Sequence, residues 1–176
     1  MALSSNLNET IQSVKTELAI DKSFDIVGRD ITVGSKNAYL VFIDGFAKDQ
    51  ILLFILERLQ NLKEEEISVD TIKKLIQTDI AYIEVDTFNS LEPMKTSVLS
   101  GGAALFIDGQ NEGILLDVRE YPVRGPQEPD LEKVTRGARD GLVETIIFNT
   151  TLIRRRIRDP ELIFELKTVG SQSKQM

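Results

Sequence analysis

The sequence predicts a mixed α/β domain: a five- to six-stranded sheet with helices packed on its faces. Three observations carry this. Short apolar runs such as "AYLVFID" and "AALFIDG" are bounded by Gly, Asn and Asp, as strands are. Between them lie stretches with apolar residues at three- and four-residue spacing, as in helices. Their order, β-β-α-α-β-α-β-β-α-β, combines hairpins with β-α-β segments. Hairpins require antiparallel pairs and the β-α-β segments allow parallel ones.

Each element has its own reason. Asn8 to Leu18 forms a short amphipathic helix, with Ile11, Val14 and Leu18 on one side. It is expected to be loosely attached, as a lead-in over residues 1–20. In "FDIVGRDITVG" the alternation changes phase near Gly28, which predicts a bulge. "GSKN" is a turn, and "AYLVFID" is apolar at odd and even positions, so it is buried on both faces. Lys48 to Leu62 is a helix with Ile51, Phe54, Ile55, Leu59 and Leu62 as its core stripe. The acid run Glu64–Glu66 reads as a solvated loop. Asp70 caps a second helix, "TIKKLIQTDI", and "AYIEVD" is a short strand. Pro93 sits in the first turns of "FNSLEPMKTSVLSG", which Gly101 and Gly102 terminate. "AALFIDG" and "GILLDVRE" are strands joined through "DGQNE". "YPVRGPQEP" carries three prolines and must be an extended loop. A long helix follows from Gly141 to Ile157, with Asp140 as its N-cap. Val143, Ile146, Thr150, Ile153 and Ile157 form its core seam. Pro160 ends it, and a last strand runs through "ELIFELKTVG". The motif "FIDG" occurs twice, ending at Gly45 and at Gly109, and reads as two strand ends with common turn residues, not a repeat.

Composition excludes several kinds of chemistry. With 176 residues, 41% of them apolar, the chain can build one real core. It has neither Cys nor His, hence no disulfide frame, thiolate nucleophile, imidazole base or Cys/His zinc site. No Ser–Lys pair stands out, and "SVLSGGA" lacks a Walker lysine, so it reads as a helix end. No catalytic residue, metal or cofactor is assigned. The apolar runs fall far short of the ~20 residues of a membrane span, and the chain reads as soluble.

Charge is uneven. The net charge is −7, yet Lys133 to Arg158 holds seven basic and two acidic residues, a net +5 that leaves −12 elsewhere. Arg154, Arg155 and Arg156 fan over about 200° of the helix, so they cannot all point into the core. They complement the helix dipole at its C-terminus, but that needs only one or two of them. Two readings stay open: an internal ion-pair network, or a docking surface for an anionic partner. Nucleic acid is not expected, since no aromatic residues interleave the basic ones. Asp44 and Asp108, at strand ends near the proline loop, are the candidates for an alternative small-ligand site.

The stretch "RGARDGLVETIIFNTTLIRRRIRDPEL" resembles the signature of the spore germinant receptor A-subunit family. "DVREYPVRGPQEPDLEKVTRG", "IDGFAKD" and "EEISVDTIKKLIQT" extend the match to residues 21–174. The resemblance implies a non-enzymatic protein of spore germination, in which a soluble region on the spore-core side precedes a multi-helix region in the inner spore membrane. Residues 21–170 would be the first soluble subdomain and 171–176 a tail toward a second one. The implied partners are that second subdomain and membrane region, other germination-complex subunits, a small membrane protein, and anionic lipid headgroups. The implied interaction residues are Arg136, Gly137, Arg139, Asp140, Gly141, Glu144, Asn149, Arg154, Arg155, Arg156 and Arg158.

Overall fold

A five-stranded sheet in the order β1-β2-β4-β5-β3 organises the computed structural model, which describes residues 2–63, 71–80, 84–120 and 142–171. The strands are β1 (Ile26–Val33), β2 (Lys36–Ile43), β3 (Val85–Phe88), β4 (Ala103–Ile107) and β5 (Gly113–Leu116). All four pairings are antiparallel, so the β-α-β segments contribute no parallel pair. The helices are α1 (Leu7–Leu18), α2 (Asp49–Gln60), α3 (Thr71–Lys74, continued as a π-helical turn over Leu75–Asp79), α4 (Leu91–Leu99) and α5 (Ile146–Arg156).

The sheet has a core on each face, which is why β2 from Ala38 to Ile43 and the whole of β4 are apolar at every position. One core joins Leu40, Leu105, Ile107 and Ile114 to Leu52, Leu59 and Leu75 of α2 and the turn after α3. The other joins Tyr39, Val41, Ala104 and Phe106 to Val14 and Leu18 of α1 and Met94 and Val98 of α4. The helix at the N-terminus is therefore not loosely attached. Asn6 caps it, Val14 and Leu18 are fully buried, and Lys95 of α4 bonds Glu17 at 2.8 Å.

Three local expectations need correction. The β1–β2 register runs unbroken from Ile26↔Ile43 to Val33↔Lys36, with no bulge at Gly28. The phase change arises because Ile26 and Ile31 face different cores. Gly28 is small for another reason: a Cβ there would lie 1.9 Å from the Tyr39 hydroxyl. On α2 the buried residues are Leu52, Ile55, Leu56 and Leu59, while Phe54 is 70% exposed. "ILLFIL" is apolar around the whole helix, so periodicity alone left its rotation undetermined. Finally, the segment after α5 is extended but is not a strand of the sheet. Asp70, the proline loop and the acid run lie outside the described residues.

The Tyr39 hydroxyl is buried and has no hydrogen-bond partner among the described residues. Burial, then Asp30 and Asp21, push its phenol above the ordinary range. An unpaired buried hydroxyl costs free energy that a phenyl ring does not. Tyr39→Phe is expected to raise stability by about 1 kcal/mol in urea unfolding. A loss of that size would mean that the hydroxyl is bonded in solution.

Candidate functional site

The arginine cluster divides, and its first member turns inward. Arg154 has no exposed surface and faces Asp25, which is 1% exposed. Nε donates to Asp25 Oδ2 at 2.8 Å and Nη2 to Oδ1 at 3.0 Å, a two-pronged pair that lysine cannot make. Nη1 donates to the Asp159 carbonyl at 2.9 Å and Nη2 to the Leu162 carbonyl at 2.7 Å. Ser23 bridges the group: its hydroxyl donates to Asp25 Oδ1 at 2.6 Å and accepts from the Phe164 amide at 3.0 Å. The guanidinium also lies over the Phe164 ring, 4.9 Å from its centre. One side chain thus ties the end of α5 to the entry of β1 and to the segment 159–164. For Arg154 the internal reading holds, and it cannot take part in a surface contact.

This inversion sets the whole helix. The buried residues of α5 are Thr150, Thr151 and Arg154. Ile146, Ile153 and Ile157 are 38%, 36% and 48% exposed, so the predicted isoleucine seam faces outward. Phe148 is exposed as well, but at about 100° per residue it lies on the opposite flank of the helix from these isoleucines. The physical reason is the buried carboxylate of Asp25, which draws an arginine and small polar residues inward where the periodicity implied isoleucines. Gly45 lets α5 approach: it has φ +82°, and a Cβ there would lie 2.7 Å from Thr151 Oγ1 and 2.8 Å from Ile147 Cγ2.

The helix also starts later than expected. It begins at Ile146 with Thr145 in the N-cap position, so Asp140 does not cap it. Glu144 precedes the cap and is exposed, and no acid lies in the first turn. Asn149 holds the lead-in: its side-chain oxygen accepts from the Val143 amide and its NH2 donates to the Val143 carbonyl, both at 2.7 Å. Arg155, Arg156 and Arg158 are exposed. With Leu152 they line a shallow depression of about 340 Å³. Arg136, Gly137, Arg139, Asp140 and Gly141 lie outside the described residues.

The alternative ligand site does not assemble. Asp44 follows β2, whereas Asp108 follows the antiparallel β4 and its amide bonds the Asn37 carbonyl at the start of β2. They stand at opposite ends of a strand, roughly 20 Å apart. Asp117 shares the Asp44 end but is paired with Arg119, which holds its carboxyl below the usual range. Ser23, Asp25 and Phe164 were missed in the sequence. Asp25 reads as part of the first strand, "FDIVGRDITVG", and Phe164 as part of the last, "ELIFELKTVG"; only Ser23 stands ahead of the first strand.

What these residues define is an α/β domain whose last helix buries an arginine and presents its isoleucines outward. Among the described residues no three His, Cys, Asp or Glu side chains cluster as metal ligands. The family model described as Bacillus/Clostridium GerA spore germination protein matches residues 12–176, and the chain belongs to that family. It is 34% identical over 160 residues to stage V sporulation protein AF of Bacillus subtilis (strain 168), covering 91% of this chain and 32% of that protein. It is 27% identical to the uncharacterized membrane protein YfkQ of the same organism, covering 98% of this chain and 33% of that one. The fold matches the crystal structure of the N-terminal domain of the A subunit of the Bacillus megaterium spore germinant receptor GerK3. The TM-score is 0.73 at 25% identity, over 99% of this chain and 63% of the other. The chain thus spans about a third of the length of the curated relatives it matches.

Proposed function

We propose that this chain is a non-enzymatic module of a membrane-borne spore germination protein, working on the spore-core side of the inner spore membrane. Its task is assembly, or the coupling of a signal to ion release. Its partners are the remainder of a longer protein (a second soluble subdomain and a membrane region), other subunits of the germination complex and a small membrane protein. The carrying observation is the outward apolar side of α5, held rigidly by the buried Arg154–Asp25 pair. An apolar helix side costs free energy in water unless something covers it. Family membership and the name of one relative, a membrane protein, support the setting. Among the described residues no helix is long and apolar enough to cross a membrane.

The test is an Ile146→Ser/Ile153→Ser/Ile157→Ser variant of the full-length protein in spores. These side chains are exposed, so the 176-residue chain carrying the changes should melt as the unchanged one does. Ion release during germination is expected to slow several-fold. Unaltered release, at normal abundance of the variant, would overturn the reading.

A further inference from the structure

We propose that the open edge of β1 accepts an extended strand from another protein chain, one that carries a basic, an acidic and a hydroxyl residue in succession. This edge is distinct from α5 and would serve whether or not α5 docks.

β1 is an outer strand of the sheet, paired only with β2. The Asp44 amide bonds the Asp25 carbonyl at 2.8 Å, one step before the Ile26↔Ile43 pair. Antiparallel pairs alternate, so Val27, Arg29, Ile31 and Val33 also bond β2. Gly28, Asp30 and Thr32 turn their N–H and C=O groups to the other side. Among the described residues nothing bonds these six groups. The strand is eight residues long, with no proline and no bulge to blunt it.

The side chains define what fits there. Arg29 and Asp30 lie on opposite faces, both exposed, and neither forms an ion pair among the described residues. Beside Asp30, between α1 and the strands, is a depression of about 260 Å³. Asp30, Asp108, Asn8 and Asn37 line it with Ile11, and no basic residue does. A lysine or arginine opposite Asp30 would lay its stem on Ile11 and bring its charge to two carboxylates. In an antiparallel partner the next residue stands opposite Arg29, where an acid is favoured. The one after it stands opposite Gly28. There the Tyr39 hydroxyl takes the place of a side chain, 1.9 Å from where a Gly28 Cβ would be. Tyr39 is 2% exposed, and its hydroxyl has no partner among the described residues. Cβ atoms of opposite residues lie about 5 Å apart, so a serine or threonine hydroxyl at that position can reach the phenol. A second copy of the chain fits poorly. The one antiparallel register that uses Gly28, Asp30 and Thr32 on both strands sets Asp30 against its own counterpart, and like charges directly opposite repel.

The probe is a fluorescein-labelled peptide containing Thr-Val-Lys-Glu-Thr-Val. Its lysine meets Asp30, its glutamate Arg29 and its second threonine Gly28. It is titrated with the 176-residue chain, and amide exchange is read in the complex. Exchange at Gly28, Asp30 and Thr32 is expected to slow by about tenfold, while Val27, Arg29 and Ile31, already bonded to β2, stay unchanged. Swapping the lysine and glutamate of the peptide should weaken binding by about tenfold, and Arg29→Glu/Asp30→Lys should reverse that preference. Thr32→Pro removes only an outward N–H and should weaken binding by about tenfold. Tyr39→Phe should lose about fivefold, the worth of one hydrogen bond. Urea unfolding confirms that each variant is folded. Absence of binding at millimolar peptide, protection that does not alternate along β1, or an unreversed preference in the double variant overturns the proposal. A chain that instead dimerises through β1, its dimer lost in Thr32→Pro, overturns the choice of a foreign strand.

Discussion

Replacing Arg154 with alanine is expected to destabilise the domain by about 3–5 kcal/mol, the cost of leaving one member of a buried ion pair alone. For a chain of 176 residues that is a fall in melting temperature of about 6–20 °C. The size follows from what remains behind. Asp25 is 1% exposed and, among the described residues, would keep only Ser23 as a side-chain partner. The Leu162 carbonyl would lose the Arg154 donor, the Asp159 carbonyl would keep the Leu162 amide, and the Phe164 ring would lose its cation. Arg154→Lys should fall between wild type and alanine, since an ammonium keeps the charge but not the fork. Arg154→Met with Asp25→Asn should recover part of the loss by removing both charges. It cannot recover all of it, because the Asp159 and Leu162 carbonyls do not regain the bonds that Arg154 donated. Amide exchange gives the local reading. Phe24 and Phe164, whose backbones bond at 3.1 Å, should lose protection before the sheet does. A loss below about 1 kcal/mol in urea would mean that the pair is solvated, as surface pairs are.

The same arginine explains what could be read in the sequence and what could not. The strands were legible because their signals are local: turn residues at both ends and continuous apolar runs in β2 and β4. The direction of α5 was not legible, because it is set by a carboxylate 129 positions away. Isoleucines at three- and four-residue spacing normally face the core, and here Asp25 outbids them. An arginine with a fork of acceptors loses less by burial than an aspartate loses by being left alone there. Phe54 fails for a different reason, the degeneracy of an apolar run. Of the signature arginines, Arg154 sits inside the domain while Arg155, Arg156 and Arg158 stay outside. The spacing showed that they diverge. It could not show which of them turned inward.

Gly45→Ala is expected to cost about 2–5 kcal/mol, and Gly109→Ala only about 1–2 kcal/mol, although both end a "FIDG". The two glycines have nearly the same backbone, φ +82° and +79°. Each alanine therefore carries the same left-handed strain. What differs is the space around the new methyl. At Gly109 the nearest atom is the end of Lys36, 4.0 Å away. At Gly45 the methyl would meet Thr151 and Ile147 at 2.7 and 2.8 Å, and one of these, Thr151, is wholly buried. The helix must then lift away from the turn, and overpacking of this kind costs about 1–3 kcal/mol beyond the strain. The difference between the two variants, read from urea midpoints at equal slope, isolates the docking of α5 on the β2–α2 turn. Limited proteolysis should cut the Gly45→Ala chain first within α5 and leave the Gly109→Ala chain intact. Equal costs would mean that α5 does not pack on this turn. The outward face of its isoleucines and arginines would then lack the fixed base that docking requires.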